Sequence, residues 1–267
     1  MLPGTFLGRW RQMFRSAYHA LYRRFVPIHW WLADRFGEQT TPPGLSLPAA
    51  KLRFRVGESV DAVEFFRVGK QTADNIEKVL LDSGCAVNDF RNVLDFGCGC
   101  GRTLMWLRQR HPQVKWHGSD VDAESIKWCR TNIPSASFTA NAPMPPLAYE
   151  EGTLDLLYAI SVFTHLNEEY QRAWVSEFHR VLRPGGLLLL TVHSEQAWKA
   201  LDSSEEIQLR GLVVHKSTKL KGIMPDWYQT TFQTPDHLVK SLSANFTIVQ
   251  YARSGFGSQD AIVARRN

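Results

Sequence analysis

A glycine-rich loop between two apolar strands constrains the fold of this chain more than any other feature. The loop lies in residues 93–102, which read VLDFGCGCGR, and a short apolar run that meets closely spaced glycines is typical of a buried strand. The sequence predicts a helix from Thr103 to His111 and a second strand from Val114 to Gly118, which is followed by Asp120. This order of elements indicates a βαβ unit that binds a nucleoside: a strand, a glycine loop, a helix, a second strand and an acid.

The spacing within this loop separates two nucleotide chemistries. A dinucleotide-binding loop has the pattern G-x-G-x-x-G, but the sixth position counted from Gly97 is Arg102. The loop instead reads D-x-G-x-G-x-G, with Asp95 two residues before the first glycine. An acid at this place repels a pyrophosphate and suits a cation, such as the ammonium group of a methionine moiety. The spacing therefore disfavours a NAD-dependent oxidoreductase.

The chain resembles the class I S-adenosylmethionine-dependent methyltransferases, whose first motif has this D-x-G-x-G-x-G pattern. The resemblance covers roughly residues 60–267, and later landmarks are residues 154–156 (LDL), 161–166 (SVFTHL) and 180–186 (RVLRPGG). It implies an α/β, Rossmann-like fold with a seven-stranded, mainly parallel sheet and one antiparallel strand. The alternating strand and helix patterns and a closing hairpin around residues 254–257 agree with that fold.

Several candidate site residues follow successive predicted strands, and such strands of a parallel sheet end at one crevice. These residues are Asp95, Gly97, Asp120, Asn141 and Ser161. The resemblance implies S-adenosylmethionine as the cofactor, with Asp95 and the glycine backbone beside its methionine part and Asp120 beside its ribose. Asn141 occupies a position where the family often has an aspartate that binds the adenine amino group, and its amide oxygen can accept the same hydrogen bond.

Residues next to these positions complete the predicted cofactor site. Cys98 and Gly99 belong to the glycine loop, and Ala142 follows the asparagine at the adenine position. By the resemblance, Val121 is expected to lie against the adenine. Arg67, on a predicted helix that precedes the loop, is expected to reach the carboxylate of the cofactor.

Two histidines are the candidate general bases. Methyl transfer from a sulfonium depends mainly on proximity and orientation, and a base helps when the acceptor is a hydroxyl. His165 follows the fourth predicted strand, and His193 ends the fifth. For each of them the alternative is a structural role, such as a cap of the next helix or a bond to the backbone. Trp227 and Tyr228, in the aperiodic residues 194–233, are candidates to line an acceptor pocket.

The sequence indicates neither a metal site nor a membrane span. Cys98 and Cys100 have C-x-C spacing, and no other Cys or His cluster completes a set of metal ligands. No run of eighteen apolar residues exists, and the N-terminal residues lack the pattern of a signal peptide. We therefore expect a cytoplasmic protein.

An uneven distribution of charge separates the first residues from the rest. Residues 1–58 are predicted to be a basic, aromatic, helical leader with a linker, and residues 59–267 to be the methyltransferase domain. Residues 1–55 carry nine Lys or Arg against Asp34 and Glu38, a net charge of +7, whereas the remainder carries −2. Apolar residues recur at helical spacing from Leu7 to Phe25, and Pro27 is expected to interrupt the helix. Two interpretations stay open: the leader packs on the domain, or it lies on the inner membrane surface.

The sequence thus predicts a methyltransferase for a small-molecule, glycan or lipid-linked acceptor, with a hydroxyl as the acceptor group. Nucleic acid is disfavoured because the nearly neutral domain lacks a basic surplus and no Asn/Asp-Pro-Pro-Tyr/Phe tetrad occurs. A non-catalytic protein that binds S-adenosylmethionine or acts in assembly is the main alternative.

Overall fold

The structure is a computed structural model that describes residues 6–216, residue 224 and residues 228–267, with side chains from residue 21 onward and that of His19. The described helices are α1 (Phe6–Phe36), α2 (Ala50–Gly57), α3 (Ala62–Asp82), α4 (Leu104–Arg110), α5 (Ala123–Asn132), α6 (Glu168–Val181), α7 (Glu195–Lys199), α8 (Ser204–Arg210) and α9 (Pro235–Leu242). The described strands are β1 (Asn92–Phe96), β2 (Lys115–Asp120), β3 (Ser137–Ala140), β4 (Leu154–Ala159), β5 (Leu182–His193), β6 (Leu212–His215), β7 (Thr230–Gln233), β8 (Phe246–Phe256) and β9 (Gln259–Arg266).

Seven strands form one sheet in the order β3-β2-β1-β4-β5-β9-β8. Strand β9 runs antiparallel to both of its neighbours, whereas the pairings among β1 to β5 are parallel. This arrangement confirms the predicted Rossmann-like fold with one reversed strand. The strand order changes direction at β1, because β2 lies on one side of it and β4 on the other. Ligands of such sheets bind at this switch point, beyond the carboxyl ends of the strands.

Helices cover both faces of the sheet and create two apolar cores. Successive side chains of a strand point to opposite faces, so Val93 belongs to one core and Leu94 to the other. The first core contains Ile76 of α3 and Leu104 of α4, and the second contains Trp174 of α6. Because close-packed apolar interiors deform little, the sheet is a rigid support for the residues at its carboxyl edge.

The predicted interruption of the first helix at Pro27 is wrong. Helix α1 is continuous over 31 residues and contains Pro27 in its interior. A proline inside a helix removes one backbone hydrogen bond and its ring crowds the carbonyl four residues earlier, so packing on either side has to offset this cost. Val26 is buried, and the ring of Trp30 contacts that of Phe54 in α2 at a centroid distance of 5.7 Å.

The segment from residue 45 to residue 57 packs into the body of the protein, although the sequence assigns it to the leader and linker. Leu45 and Leu52 belong to the first apolar core, and Phe54 is also buried. Arg53 is almost fully buried, and its Nε atom donates to the carbonyl oxygen of Val60 at 2.8 Å. Residues 45–57 therefore contribute to the same apolar core as the residues that follow them.

The aperiodic residues 194–233 contain short elements that the sequence did not reveal. Helices α7 and α8 and the two-stranded antiparallel sheet of β6 and β7 surround a small core of Trp198, Ile207, Val213 and Phe232. Each element has only four to seven residues, which is too short for a clear hydrophobic period. In the described part of the chain, no helix has the length and apolarity needed to cross a membrane.

A glycine in α3 allows this helix to approach the glycine loop, which leads to a stability prediction. A Cβ atom on Gly69 would lie 2.4 Å from the backbone carbonyl oxygen of Arg102. Because a backbone atom cannot move aside cheaply, Gly69→Ala is expected to lower the free energy of unfolding by about 1–3 kcal/mol, despite the preference of helices for alanine. Urea unfolding measures this change.

Gly84→Ala is the matched control for this prediction. Gly84 has a φ of +80°, and a Cβ atom there would meet nothing within 4 Å. Alanine at this position would have to adopt the left-handed backbone conformation, which should lower the free energy of unfolding by about 1 kcal/mol. A Gly69→Ala variant as stable as the wild type would contradict the close packing of α3 on the loop.

Candidate active site

A cavity of about 1220 Å³ opens at the carboxyl ends of the parallel strands. It collects most of the residues that the sequence predicts for cofactor binding and catalysis. The predicted residues that line it are Asp95, Gly97, Cys98, Gly99, Asp120, Val121, Asn141, Ser161, His165 and His193. The structure therefore brings ten of the twelve candidate residues together at the switch point of the sheet.

The glycines of the loop have backbone conformations that other residues rarely adopt. The φ angles of Gly97, Gly99 and Gly101 are +77°, +53° and +74°. A Cβ atom on Gly97 would lie 2.3 Å from Cγ2 of Val162, and one on Gly99 would lie 2.3 Å from Cγ1 of Val56. The positive φ angles and the close side chains of Val162 and Val56 both favour glycine at these two positions.

Asp120 connects the end of β2 to the glycine loop. Its Oδ2 atom accepts a hydrogen bond from the backbone N–H of Gly99 at 2.7 Å, and its Oδ1 atom accepts one from Asp122 at 2.8 Å. Burial raises the pKa of Asp120, and these backbone donors oppose that effect. Each carboxylate oxygen retains a lone pair, so the side chain can also accept hydrogen bonds from the two hydroxyls of a ribose.

Asp95 and Arg102 place one acid and one base in the same part of the cavity. Burial raises the pKa of Asp95 to about 8, and the charge of Asp120 adds to this effect, whereas Tyr158 and Arg102 oppose it. Burial also lowers the pKa of Arg102. A pKa raised in this way favours the protonated form of Asp95 at neutral pH, and a cation beside it would favour the carboxylate.

Two of the predicted cofactor residues lie outside the cavity. Arg67 is solvent-exposed on α3, where its Nη2 atom is 3.9 Å from the carboxylate of Glu64. Its position on the outer side of α3 prevents the predicted contact, and Arg102 is the arginine that lines the cavity instead. Ala142 is exposed as well, and its carbonyl oxygen accepts a hydrogen bond from Nδ2 of Asn141 at 2.7 Å. The sequence offered one signal for Arg102, namely its place directly after the third glycine.

The amide of Asn141, which the sequence predicts to contact the adenine, is held by its neighbours. Its Oδ1 atom accepts a hydrogen bond from the hydroxyl of Ser119 at 2.7 Å, and its backbone N–H donates to the carbonyl oxygen of Asp120. The amide oxygen has a second lone pair, so it can still accept a hydrogen bond from an amino group.

His165 presents a basic nitrogen to the cavity. Its Nδ1 atom lies 2.7 Å from the carbonyl oxygen of Gln229, and because a carbonyl only accepts, the ring proton is on Nδ1. The imidazole stacks on the ring of Tyr228 at a centroid distance of 4.3 Å. Burial lowers the pKa of His165, so the ring is neutral at pH 7 and Nε2 has a free lone pair. This arrangement suits a general base.

His193 is less well placed to exchange protons. Its ring packs on Phe232 at a centroid distance of 4.7 Å, and its Nε2 atom is buried without a hydrogen-bond partner among the described residues. Burial, together with a smaller effect of the neighbouring His165, lowers the pKa of His193 to about 4. Tyr228, which the sequence named as a pocket residue, lines the cavity, whereas Trp227 lies outside the described residues.

A polar network at the end of β4 includes a cavity residue that sequence reasoning missed. Ser161 has a φ of +60°, and its backbone N–H donates to the hydroxyl of Thr191 at 2.8 Å. The side chain of Gln259 links Ser161 and Thr191. Its Oε1 atom accepts a hydrogen bond from the hydroxyl of Thr191 at 2.6 Å, and its Nε2 atom donates one to the hydroxyl of Ser161 at 2.9 Å. Gln259 is at the start of the reversed strand, 98 residues from Ser161, so no local pattern indicates it.

The cysteines of the loop are packing groups. Cys98 and Cys100 are buried, and the Sγ atom of Cys129 lies 3.6 Å from the carbonyl oxygen of Gly99. Burial raises the pKa of Cys98, which keeps its thiol protonated. No cluster of His, Cys, Asp or Glu within the described residues has the composition of a metal site.

Comparisons with known proteins agree with the fold and the loop. Residues 93–186 match the model of a methyltransferase domain family. The chain is 27% identical over 125 residues to malonyl-[acyl-carrier protein] O-methyltransferase of Hahella chejuensis, covering 44% of each chain. It is 30% identical over 118 residues to the tRNA N(3)-methylcytidine methyltransferase Mettl2 of Drosophila melanogaster, covering 41% of this chain and 36% of that protein.

The fold is similar to that of solved methyltransferases. An S-adenosylmethionine-dependent methyltransferase of Methanosarcina mazei superposes with a TM-score of 0.52 at 20% identity, covering 66% of this chain and 92% of that one. Residues 93–186 therefore resemble a methyltransferase domain, and the fold is the one seen in solved S-adenosylmethionine-dependent methyltransferases. The alignments span about half, or less, of the length of the curated relatives.

Proposed function

We propose that this protein transfers a methyl group from S-adenosylmethionine to a hydroxyl of a small-molecule, glycan or lipid-linked acceptor. The observation that carries the proposal is that His165, a neutral imidazole, lines the same cavity as most of the residues predicted to bind the cofactor. When bound, S-adenosylmethionine supplies an electrophilic methyl group on a sulfonium. The chain itself has to hold the cofactor, orient the acceptor and remove one proton.

The residues of the cavity suit the charges of the cofactor. Its methionine part is a zwitterion, and Asp95 and Arg102 offer one negative and one positive group in the cavity. Asp95 would bind the ammonium and Arg102 the carboxylate, which is the role that the sequence assigned to Arg67. Asp120, with its two oxygens already fixed by backbone donors, would bind the ribose hydroxyls. A pyrophosphate carries no cation that would stabilise the carboxylate form of Asp95, which disfavours NAD.

His165 is the group that would take the proton of the acceptor hydroxyl. The carbonyl oxygen of Gln229 fixes its tautomer, and Tyr228 fixes its ring plane, so Nε2 remains the accepting atom. Burial raises the pKa of Tyr228 to about 12, so its phenol keeps its own proton and can only orient the acceptor as a hydrogen-bond partner. This neutral, aromatic part of the cavity supports an uncharged hydroxyl rather than a strongly anionic acceptor.

The affinity for the cofactor is expected to depend on pH through Asp95. With a pKa of about 8 in the empty cavity, Asp95 must lose a proton before it can bind an ammonium group. The association constant for the cofactor should therefore increase with pH, by up to about tenfold for each pH unit. This increase is expected below about pH 7.5, because the α-ammonium group of the cofactor keeps its proton in that range. Calorimetric titrations at several pH values measure it. Asp95→Asn should bind weakly and without this pH dependence, and an unchanged pH profile in that variant would contradict the role of Asp95.

A methyl-labelling screen tests the proposed activity and the acceptor class together. Purified protein with tritium-labelled S-adenosylmethionine is incubated with separate lipid, small-molecule, glycan and transfer-RNA fractions of a cell extract. We expect label in one of the first three fractions, in a product that resists base as an ether does. Label in the RNA fraction would contradict the acceptor class, and cofactor binding without any labelled product would support the non-catalytic alternative.

A further inference from the structure

Helix α1 carries an apolar face that no described residue covers. Leu21, Phe25, Ile28, Leu32 and Phe36 follow one another at intervals of three or four residues, which places them on one side of the helix. Their exposed fractions lie between 43% and 72%. Five large apolar side chains in one continuous stripe are unusual for a surface, since such residues are normally scattered singly.

The opposite side of α1 fixes the direction of this stripe. Val26 and His19 are buried, and Trp30 packs against Phe54 of α2. Asp34 accepts a hydrogen bond from the backbone N–H of Ala50 at 2.7 Å, which connects the end of α1 to the start of α2. Because this side is attached to the body of the protein, the stripe faces away from it.

The charge of α1 complements an anionic surface. The helix contains six arginines and a single acid, Asp34, so its net charge is +5, which equals that of the whole chain. The acid lies on the side of α2, where it is also 3.6 Å from a guanidinium nitrogen of Arg53. Arg24, Arg35 and Trp31 are exposed, and helical spacing places all three beside the stripe.

We propose that α1 lies flat on an anionic lipid bilayer, with the stripe in the boundary between headgroups and acyl chains. An exposed apolar face with a flanking tryptophan and arginines is the pattern of an interfacial helix. The arginine stems cover apolar surface while their guanidinium groups reach the lipid phosphates. The helix lies on the membrane rather than across it, because it is not apolar enough to span a bilayer.

A second copy of the chain is a less suitable occupant of the stripe. Pairing of two α1 helices would bring two charges of +5 together, whereas an anionic bilayer neutralises this charge.

Co-sedimentation of the full chain with vesicles tests the proposal. The probes are vesicles of phosphatidylcholine alone and of phosphatidylcholine with phosphatidylglycerol, at low and high salt. We expect binding to the anionic vesicles only, weakened steeply by salt because exposed charges are screened. A triple variant, Phe25→Gln/Ile28→Gln/Leu32→Gln, should reduce this binding on the order of 100-fold. Arg24→Gln/Arg35→Gln should reduce it about 30-fold, or roughly fivefold for each arginine.

Leu81→Gln/Leu209→Gln is the matched control. These leucines are 68% and 87% exposed on α3 and α8, outside the stripe, so their replacement should leave vesicle binding unchanged. Melting temperatures confirm that all variants fold. Absence of binding to anionic vesicles at low salt would overturn the proposal, and so would equal binding by the triple variant. A wild-type dimer that the triple variant converts to a monomer, in the absence of lipid, would assign the stripe to a second copy instead.

Discussion

Replacement of His165 by alanine is expected to lower the turnover number about 10²- to 10⁴-fold, because the variant has no group to accept the proton of the hydroxyl. The affinity for S-adenosylmethionine should change little, since the residues proposed to hold the cofactor are Asp95, Arg102 and Asp120. Because burial lowers the pKa of His165 below its usual value of 6.5, the wild-type turnover should decline only below that pH. Single-turnover rates at saturating cofactor separate the chemical step from binding.

The matched control for this variant is His215→Ala. His215 also makes one hydrogen bond, to the hydroxyl of Ser203, and packs against one aromatic ring, that of Phe232. It does not line the cavity, so its loss should affect stability and leave turnover nearly unchanged. A loss below fivefold for His165→Ala would show that His165 is not the base, and equal losses in both variants would indicate a structural effect.

Replacement of Asp120 by alanine has the second large expected effect. The variant should lose about 1–3 kcal/mol of cofactor binding from the unpaired ribose hydroxyls, roughly a 5- to 150-fold increase in the dissociation constant. Part of the loss comes from the loop itself, because the backbone N–H of Gly99 also loses its acceptor. Calorimetric titration with S-adenosylmethionine measures the dissociation constant directly.

Asp155→Ala separates the binding role from the structural one. Like Asp120, Asp155 accepts hydrogen bonds from two backbone N–H groups, those of Arg91 at 3.0 Å and Asn92 at 2.8 Å. It is located at the amino end of β4, away from the cavity, so its loss should lower stability without changing cofactor affinity. If Asp120→Ala and Asp155→Ala lowered the affinity for the cofactor equally, the assignment of Asp120 to the ribose would be wrong.

The sheet and the cofactor side of the cavity follow from local sequence patterns. Apolar runs, closely spaced glycines and strand-ending polar residues are local signals, and parallel strands bring their ends together whatever the intervening helices contain. The sequence alone therefore predicts that Asp95, Asp120 and Asn141 lie at one crevice. The helix start at Thr103 was correctly predicted for the same reason, since this residue directly precedes α4.

The remaining features depend on contacts between distant parts of the chain. Gln259 reaches the cavity only because β9 pairs with β5, and a sequence pattern does not show which residue of a hairpin faces a site. Arg67 and Arg102 both belong to segments near the loop, but sequence spacing does not show that Arg67 is exposed on α3 and that Arg102 lines the cavity. Pro27 is tolerated in α1 because Val26 and Trp30 pack on both sides of it, which propensity alone does not include.

The central claim is that the cavity binds S-adenosylmethionine through the loop of residues 95–101 and Asp120. The most direct test is a calorimetric titration of the full chain with S-adenosylmethionine and, separately, with NAD at the same concentrations. We predict saturable binding of one S-adenosylmethionine per chain, with a rise in melting temperature because only the folded state binds it, and no binding of NAD. Binding of NAD without binding of S-adenosylmethionine would contradict the claim.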